Sequence, residues 1–336
     1  MEHQLITLIK QVNETHPRLG KLIAMSVISV KAHQFLLVVS PSGCGKSASS
    51  HCIAKNHADP YPIASVTAAW IMKITERLTG FSGVVLMDDI SKMSEYEKKD
   101  TVISFATLCH EHRLDKHTMI ADYEISNFFG SAVLNIQPVQ MSQLYASTEW
   151  EGLLQDKSLR YYHLFRPNEP QKDDPNIVIE WGIDLEKVKD TQIYSGKIYE
   201  RILKIAQIEW SDSRALQHLT ILLRASAALD SRTEVNDSDY ELLDVLMRPM
   251  IIEKYLFSKN GFEDGRIFDK NLCAVIVELA SWSRVDINRI VRDYKVSPTT
   301  AYNLVRAMNN WIDLNVGKVE PNENLQKVLR EIGVRK

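Results

Sequence analysis

The sequence predicts an α/β protein, with a parallel sheet flanked by helices, then a mainly helical part and a C-terminal helix-turn-helix unit. Three observations lead there. Short apolar runs alternate with helical patterns through the first half, a glycine-rich turn joins the first run to a helix, and the second half repeats at helical spacing. Strands covered on both faces read as continuous apolar runs. Phe35 to Val39, Val84 to Met87, Ala132 to Ile136 and Tyr161 to Phe165 have that form. Beyond them, Ile198 to Ile208, Ser213 to Leu229 and Asp237 to Met247 carry apolar residues every three to four positions, which predicts helices.

The proline-bearing stretch Arg166 to Asn176 reads as a linker. It divides the chain into an expected nucleotide-binding core over 1–170, a helical part over 171–255 and a C-terminal unit over 256–336. The 336 residues suffice for two or three domains of about 150 residues each. No apolar stretch reaches the roughly 20 residues of a membrane helix, and the first residues lack the pattern of a secretory signal, so a cytoplasmic protein without membrane association is expected. Cys44, Cys52, Cys109 and Cys273 form no C-x-x-C pair, which argues against a disulfide framework and a structural zinc site. His110, His112 and His117 lack a metal-ligand spacing and read as a polar helix edge. The net charge of −3 is uneven: residues 266–336 carry +4 and the rest −7, so the C-terminal end is the better contact for a polyanion.

Taken in order, the first predicted strand runs into Ser40-Pro41-Ser42-Gly43-Cys44-Gly45-Lys46-Ser47. Clustered phosphate charge is held by backbone N–H groups of such a turn and by the positive end of the following helix. The expected phosphate-contacting set is Ser42, Gly43, Cys44, Gly45, Lys46, Ser47 and Ser49, with ATP and Mg²⁺ as ligands. Lys46 is assigned to the β and γ phosphates and Ser47 to the metal. The pattern G-x-x-x-x-G-K-[ST] is met except at Ser40, which stands where the first glycine belongs. The alternative is a chance glycine-rich turn. The predicted strand Val84 to Met87 ends in Asp88 and Asp89 about 40 residues later. Asp88 suits a metal ligand and Asp89 a water-orienting base, although aspartate is shorter than the more usual glutamate; a simple cap on a turn at Ser91 is the alternative.

With these motifs in this order, residues 20 to 250 resemble the AAA+ ATPase family. The resemblance implies further roles. Asn135, at the end of an apolar strand, matches the sensor that helps hold the hydrolytic water. Arg160 matches an arginine finger placed just before the last core strand and acting on a neighbouring subunit, with Arg166 as competitor. A homo-oligomer follows, as a ring or filament and possibly a hexamer. Residues 211–240 resemble the helical lid, in which Arg214, one residue after a capping Ser213, matches the second sensor facing the γ-phosphate.

Near the C-terminus, Val285 to Met308 reads helix, turn, helix, with Ser297 as N-cap and Pro298 in the first turn. Ala301, Leu304, Val305 and Met308 form an apolar stripe. Thr299, Thr300, Tyr302, Asn303 and Arg306 lie opposite, with groups suited to phosphate and base edges. Trp311 to Val319 suggests the hairpin of a winged helix. DNA is the expected partner, and a protein contact is the alternative use of such a bundle. Core, lid and winged helix in this order resemble branch-migration motors, origin initiators and helicase loaders. The resulting expectation is ATP hydrolysis coupled to DNA remodelling, translocation or loading. A nucleotide-dependent switch with little turnover is the alternative, and a small-molecule kinase a third.

Overall fold

A computed structural model describes residues 2–63, 68–88, 90, 93–117, 122–145, 154–164, 173–189, 196–256, 279, 284–288, 291 and 297–333. Asp89, Arg166 and the helix expected just before Ser297 lie outside these residues.

The central sheet has five parallel strands in the order β2-β3-β6-β1-β7. They are β1 (Phe35–Val39), β2 (Pro60–Ile63), β3 (Val84–Met87), β6 (Ser131–Ile136) and β7 (Leu159–Tyr162). Every residue of β1, β3, β6 and β7 is buried, as the continuous apolar runs require. Two differences from the sequence reading have physical causes. The predicted strand Tyr161 to Phe165 begins two residues earlier, because Arg160 is neutralised inside the protein and the strand extends through it. Strand β2, with prolines at two of its four positions, is an edge strand that needs N–H donors on one side only. Between β3 and β6 the chain also forms an antiparallel pair, β4 (Leu114–His117) and β5 (Asp122–Ile125); charged residues alternate with apolar ones in β5, and β4 is mainly polar.

The helices α1 (Gln4–Thr15) and α2 (Leu19–Lys31) precede the sheet. Helix α2 is buried over most of its length and packs against β1, β6 and β7, then α3 (Lys46–Asn56) and α9 (Asp212–Leu229). Helices α4 (Ala68–Lys73), α5 (Thr75–Leu78), α6 (Glu95–Glu111) and α7 (Pro138–Tyr145) complete the first half. Helix α6 starts at a reciprocal capping box between Ser94 and Glu97.

Residues 173–189 strap the first half to the second. Asn56 accepts from Ile179 N–H at 2.9 Å and Trp181 donates its indole N–H to Asn56 O at 2.7 Å. Gly182 sits at φ 58° against the end of α9, where a Cβ would lie 2.0 Å from Ala228 O. Only glycine fits.

Helices α8 (Lys197–Glu209), α9 and α10 (Asp237–Met247) form the expected helical part, followed by a 3-10 segment Arg248–Ile252 and α11 (Glu253–Leu256). This bundle is tied to the first residues of the chain by a buried polar cluster. Asp239 accepts from Ser226 Oγ at 2.5 Å and from both Nη atoms of Arg232, while His3 Nε2 lies 2.9 Å from Ser226 Oγ. Bonds from His3, Arg232 and Ser226 hold the Asp239 carboxyl below its usual range although burial acts the other way.

The C-terminal residues form a three-stranded antiparallel sheet in the order β8 (Val285–Asp286), β10 (Lys318–Pro321), β9 (Ile312–Asn315). Helices α12 (Pro298–Ala307) and α13 (Glu323–Glu331) pack on it. The β9–β10 hairpin turns through Val316 and Gly317 at φ 48° and 73°, as a two-residue type I′ turn demands. Among the described residues no helix is long and apolar enough to cross a membrane.

Candidate functional site

The loop after β1 joins a glycine-bearing turn directly to the N-terminus of a helix. Gly43 and Gly45 take φ 79° and 88°, and a Cβ on Gly45 would meet Leu19 Cδ1 at 3.1 Å, so both backbone freedom and a close neighbour call for glycine. Helix α3 begins directly at Lys46 with no side-chain cap, so its N-terminus carries the partial positive charge that attracts an anion. Ser42, Gly43 and Ser47 are exposed at this mouth. Lys46 folds back over the loop: its ammonium donates to Ser40 O and, at 3.4 Å, to Ile136 O. Ser40, in place of the first glycine, is buried and pinned by an N–H bond to Ile136 O at 3.0 Å.

Strand order brings the acidic strand to this loop. Strand β6 lies between β1 and β3, and its register pairs Val38 with Asn135 and Met87 with Leu134. Asn135 therefore stands between the loop and Asp88. Its amide donates at 2.9 Å both to Ser50 Oγ on α3 and to Asp88 Oδ1. Ser47 is three residues before Ser50 and shares its helix face. Ser47, Ser50, Asn135 and Asp88 thus line one edge of the cradle. Among the described residues no group of three His, Cys, Asp or Glu side chains is placed to hold a metal ion. A hydroxyl and one carboxylate, completed by water and phosphate oxygen, is nonetheless the hard-oxygen set that suits Mg²⁺.

His163, at the end of β7, closes the other edge. Its ring hydrogen-bonds the Cys44 backbone, and burial, reinforced by the charges of Lys46 and Arg18, pushes its pKa down to about 4. The imidazole is neutral at pH 7. Arg18, Lys21 and Arg248 gather beside it. The Lys21 pKa is lowered first by burial, then by the neighbouring Arg248 and Arg18 charges. None of these four groups carries a sequence motif; folding alone assembles them.

Three sequence assignments are corrected. Arg160 is fully buried within β7 and is no surface finger. Its guanidinium donates to Glu253 Oε1 at 2.7 Å, to Gln155 O at 2.9 Å and to Ser158 O at 3.1 Å, and Tyr162 donates to the same Glu253 oxygen at 2.8 Å. A side chain enclosed by its own subunit cannot reach a neighbour's phosphate. Arg214 lies in the first turn of α9 as expected, but the N-cap is Ser211, held by Asp156. It donates to Gln217 Oε1 at 2.8 Å and its charge acts on His110. Gln217, His110, His33, His57 and His112 line a cavity of about 770 Å³ that also contains Gln34 and Gly83, at the starts of β1 and β3. The glycine loop Ser40 to Ser47 follows the other end of β1, so Arg214 faces away from it. Ser49 is buried, its Oγ 3.5 Å from Ser26 Oγ, and its N–H is bonded to Gly45 O, so it does not face the loop.

The histidines expected on one helix edge are separated as well. His110 and His112 border that cavity, whereas His117 pairs with Asp122 at 2.7 Å on the β4–β5 hairpin.

In the C-terminal unit Ser297 caps α12 through Thr300 N–H at 3.1 Å. Ala301, Val305 and Met308 are buried and Thr299, Thr300, Asn303 and Arg306 exposed. Tyr302 is half-buried, with its hydroxyl toward the Gly317 turn. The Thr300 hydroxyl is engaged with Ser297 Oγ at 2.8 Å. Asn303, Arg306 and Thr299 are the side chains left presented. No protein-family model matches the chain, and no curated protein matches its sequence.

Proposed function

We propose that this chain is a Mg²⁺-dependent ATPase of the AAA+ type that binds DNA through α12. The observation that carries the reading is the Asn135 bridge from Ser50 to Asp88, beneath an uncapped helix N-terminus that begins at Lys46. Loop N–H groups and Lys46 hold the phosphate chain. Ser47 and Asp88 would hold Mg²⁺, which neutralises charge on the phosphate oxygens. Asn135 orients the attacking water, and Asp89 is the candidate to accept its proton. The placement of β6 between the loop strand and the acidic strand supports this division of roles.

Because Arg160 is buried, the expected ring or filament is left with the competing Arg166, which lies outside the described residues. That observation favours the second reading, a nucleotide-dependent switch with little turnover by the isolated chain.

Turnover of MgATP measured with and without duplex and single-stranded DNA separates the two. DNA stimulation is expected for the motor, with Asn135→Ala lowering turnover about 100-fold, as loss of one preorganised donor does. Negligible turnover together with nucleotide-dependent DNA affinity supports the switch. Neither turnover nor such affinity contradicts both. In the same assays Arg306→Ala should weaken DNA binding and reduce the slope of log affinity against log salt by about 1. An unchanged slope and affinity would assign α12 to a protein contact.

A further inference from the structure

The cavity of about 770 Å³ at the starts of β1 and β3 takes no part in the nucleotide reading, because the glycine loop follows the other end of β1. Its walls are the turn from α2 into β1, the segments after α3 and α6, the strap, and one face of α9. We propose that this cavity binds a small aromatic carboxylate, whose charge meets Lys31 and His57 and whose ring lies against Trp181 and Phe129.

Lys31 is the only lysine or arginine in the lining. It is half-buried, and among the described residues it makes no hydrogen bond or ion pair. Burial lowers its pKa more than Asp184 and Glu186 raise it, so its ammonium lacks solvation that a bound anion would supply. Asp184 is itself bonded to Lys187 at 3.0 Å. Of the histidines in the lining, His33, His57, His110 and His218 have pKa values lowered first by burial, so they are neutral at pH 7 and leave Lys31 as the anchor. His57 accepts the Asp59 N–H on Nδ1 at 3.1 Å, so its neutral ring keeps its proton on Nε2 and is a donor. The Lys31 charge acts on His57, which places the two donors in one neighbourhood. A carboxylate has one oxygen for each. A phosphate, with up to about two charges, would be repelled more strongly by Asp59, Asp184 and Glu186.

The aromatic surface adjoins this anchor. Trp181 is fixed by its indole bond to Asn56 O, and its ring meets the His57 ring edge to face at 4.8 Å. Phe129 is 51% exposed, with the His112 ring 5.4 Å away. A phenylalanine left half in water at a cavity is apolar surface for a ligand to cover. Size agrees, since sites for small ligands span about 300–1,000 Å³. A ligand held by Lys31 and Trp181 touches the core and the strap together, so its binding also stabilises their contact.

The test is calorimetric titration of the full chain at pH 7 with 2-naphthoate, 2-naphthol and acetate, which present the charged ring, the ring alone and the charge alone. 2-Naphthoate should bind with a Kd of about 1 mM or tighter, and at least tenfold more tightly than either of the others. Lys31→Met keeps the apolar stem; it should lower naphthoate affinity about tenfold, as loss of a charged hydrogen-bond partner does, and leave naphthol affinity within twofold. Phe129→Ala should weaken naphthoate and naphthol alike, by threefold or more. Phe129 is exposed, so this variant still reports on the cavity if Lys31→Met does not fold. Absence of saturable naphthoate binding, or wild-type affinity in either folded variant, overturns the proposal. Lys46→Ala should leave naphthoate affinity unchanged; a tenfold loss there would place the ligand at the glycine loop and overturn it as well.

Discussion

Replacing Arg160 by alanine is expected to lower the stability of the protein by about 3–5 kcal/mol in urea or thermal unfolding. The size follows from what is left behind. Arg160 and Glu253 are both fully buried, and the guanidinium is shared among Glu253 and the carbonyls of Gln155, Ser158 and Glu209. Alanine leaves the Glu253 carboxylate enclosed without its guanidinium partner, though still bonded by Tyr162, and takes one donor from each of three carbonyls. Removing both charges should cost far less, because a buried ion pair replaced by apolar groups of similar volume is close to neutral. Arg160→Met with Glu253→Leu should therefore recover most of the loss. A single-variant loss below about 1 kcal/mol would mean that the guanidinium lies in water.

The same cluster sets a pH dependence. Burial first, opposed by Arg160 and reinforced by Glu253, holds the Glu209 pKa well above the usual carboxylate value. A raised folded-state pKa means that its stabilisation is complete below the unfolded value and is lost as pH rises through the folded one. Glu209→Gln should flatten that decline on the alkaline side.

How far the fold was legible depended on chemistry at each position. Strands β1 and β3 were readable to the residue because both faces are covered and nothing polar interrupts them. Helix α10 was equally clear, bounded by the Asn236 capping box. Strand β7 was misread at its start because Arg160 looks like a surface residue until Glu253, 93 positions away, is placed beside it. Strand β2 is masked by its prolines, and the β4–β5 hairpin by its charges.

The site divides in the same way. Gly43, Gly45, Lys46 and Asp88 follow from local pattern, and the strand register confirms only that Asn135 reaches Asp88. Arg214 was inferred from its position in a helix, yet helix position does not say which end of the sheet the helix meets. Arg18 and Lys21, His163 and Arg248 come from three separate segments that only tertiary packing joins, so no spacing in the sequence points to them.

Loss of Lys46 should have the largest effect on ligand binding. Its ammonium is already drawn across the glycine loop by Ser40 O and Ile136 O, so under the proposed function little reorganisation is needed to meet a phosphate there. Truncating one partner of such a charge pair costs about 2–5 kcal/mol, and a hundredfold change in affinity is about 2.7 kcal/mol. The direct measurement is MgATP binding by calorimetry to the wild-type chain and to Lys46→Ala, each shown to be folded by its thermal transition. A fall of about 100-fold or more is the predicted result. Equal affinities in the two proteins would contradict the assignment of this loop as the nucleotide site.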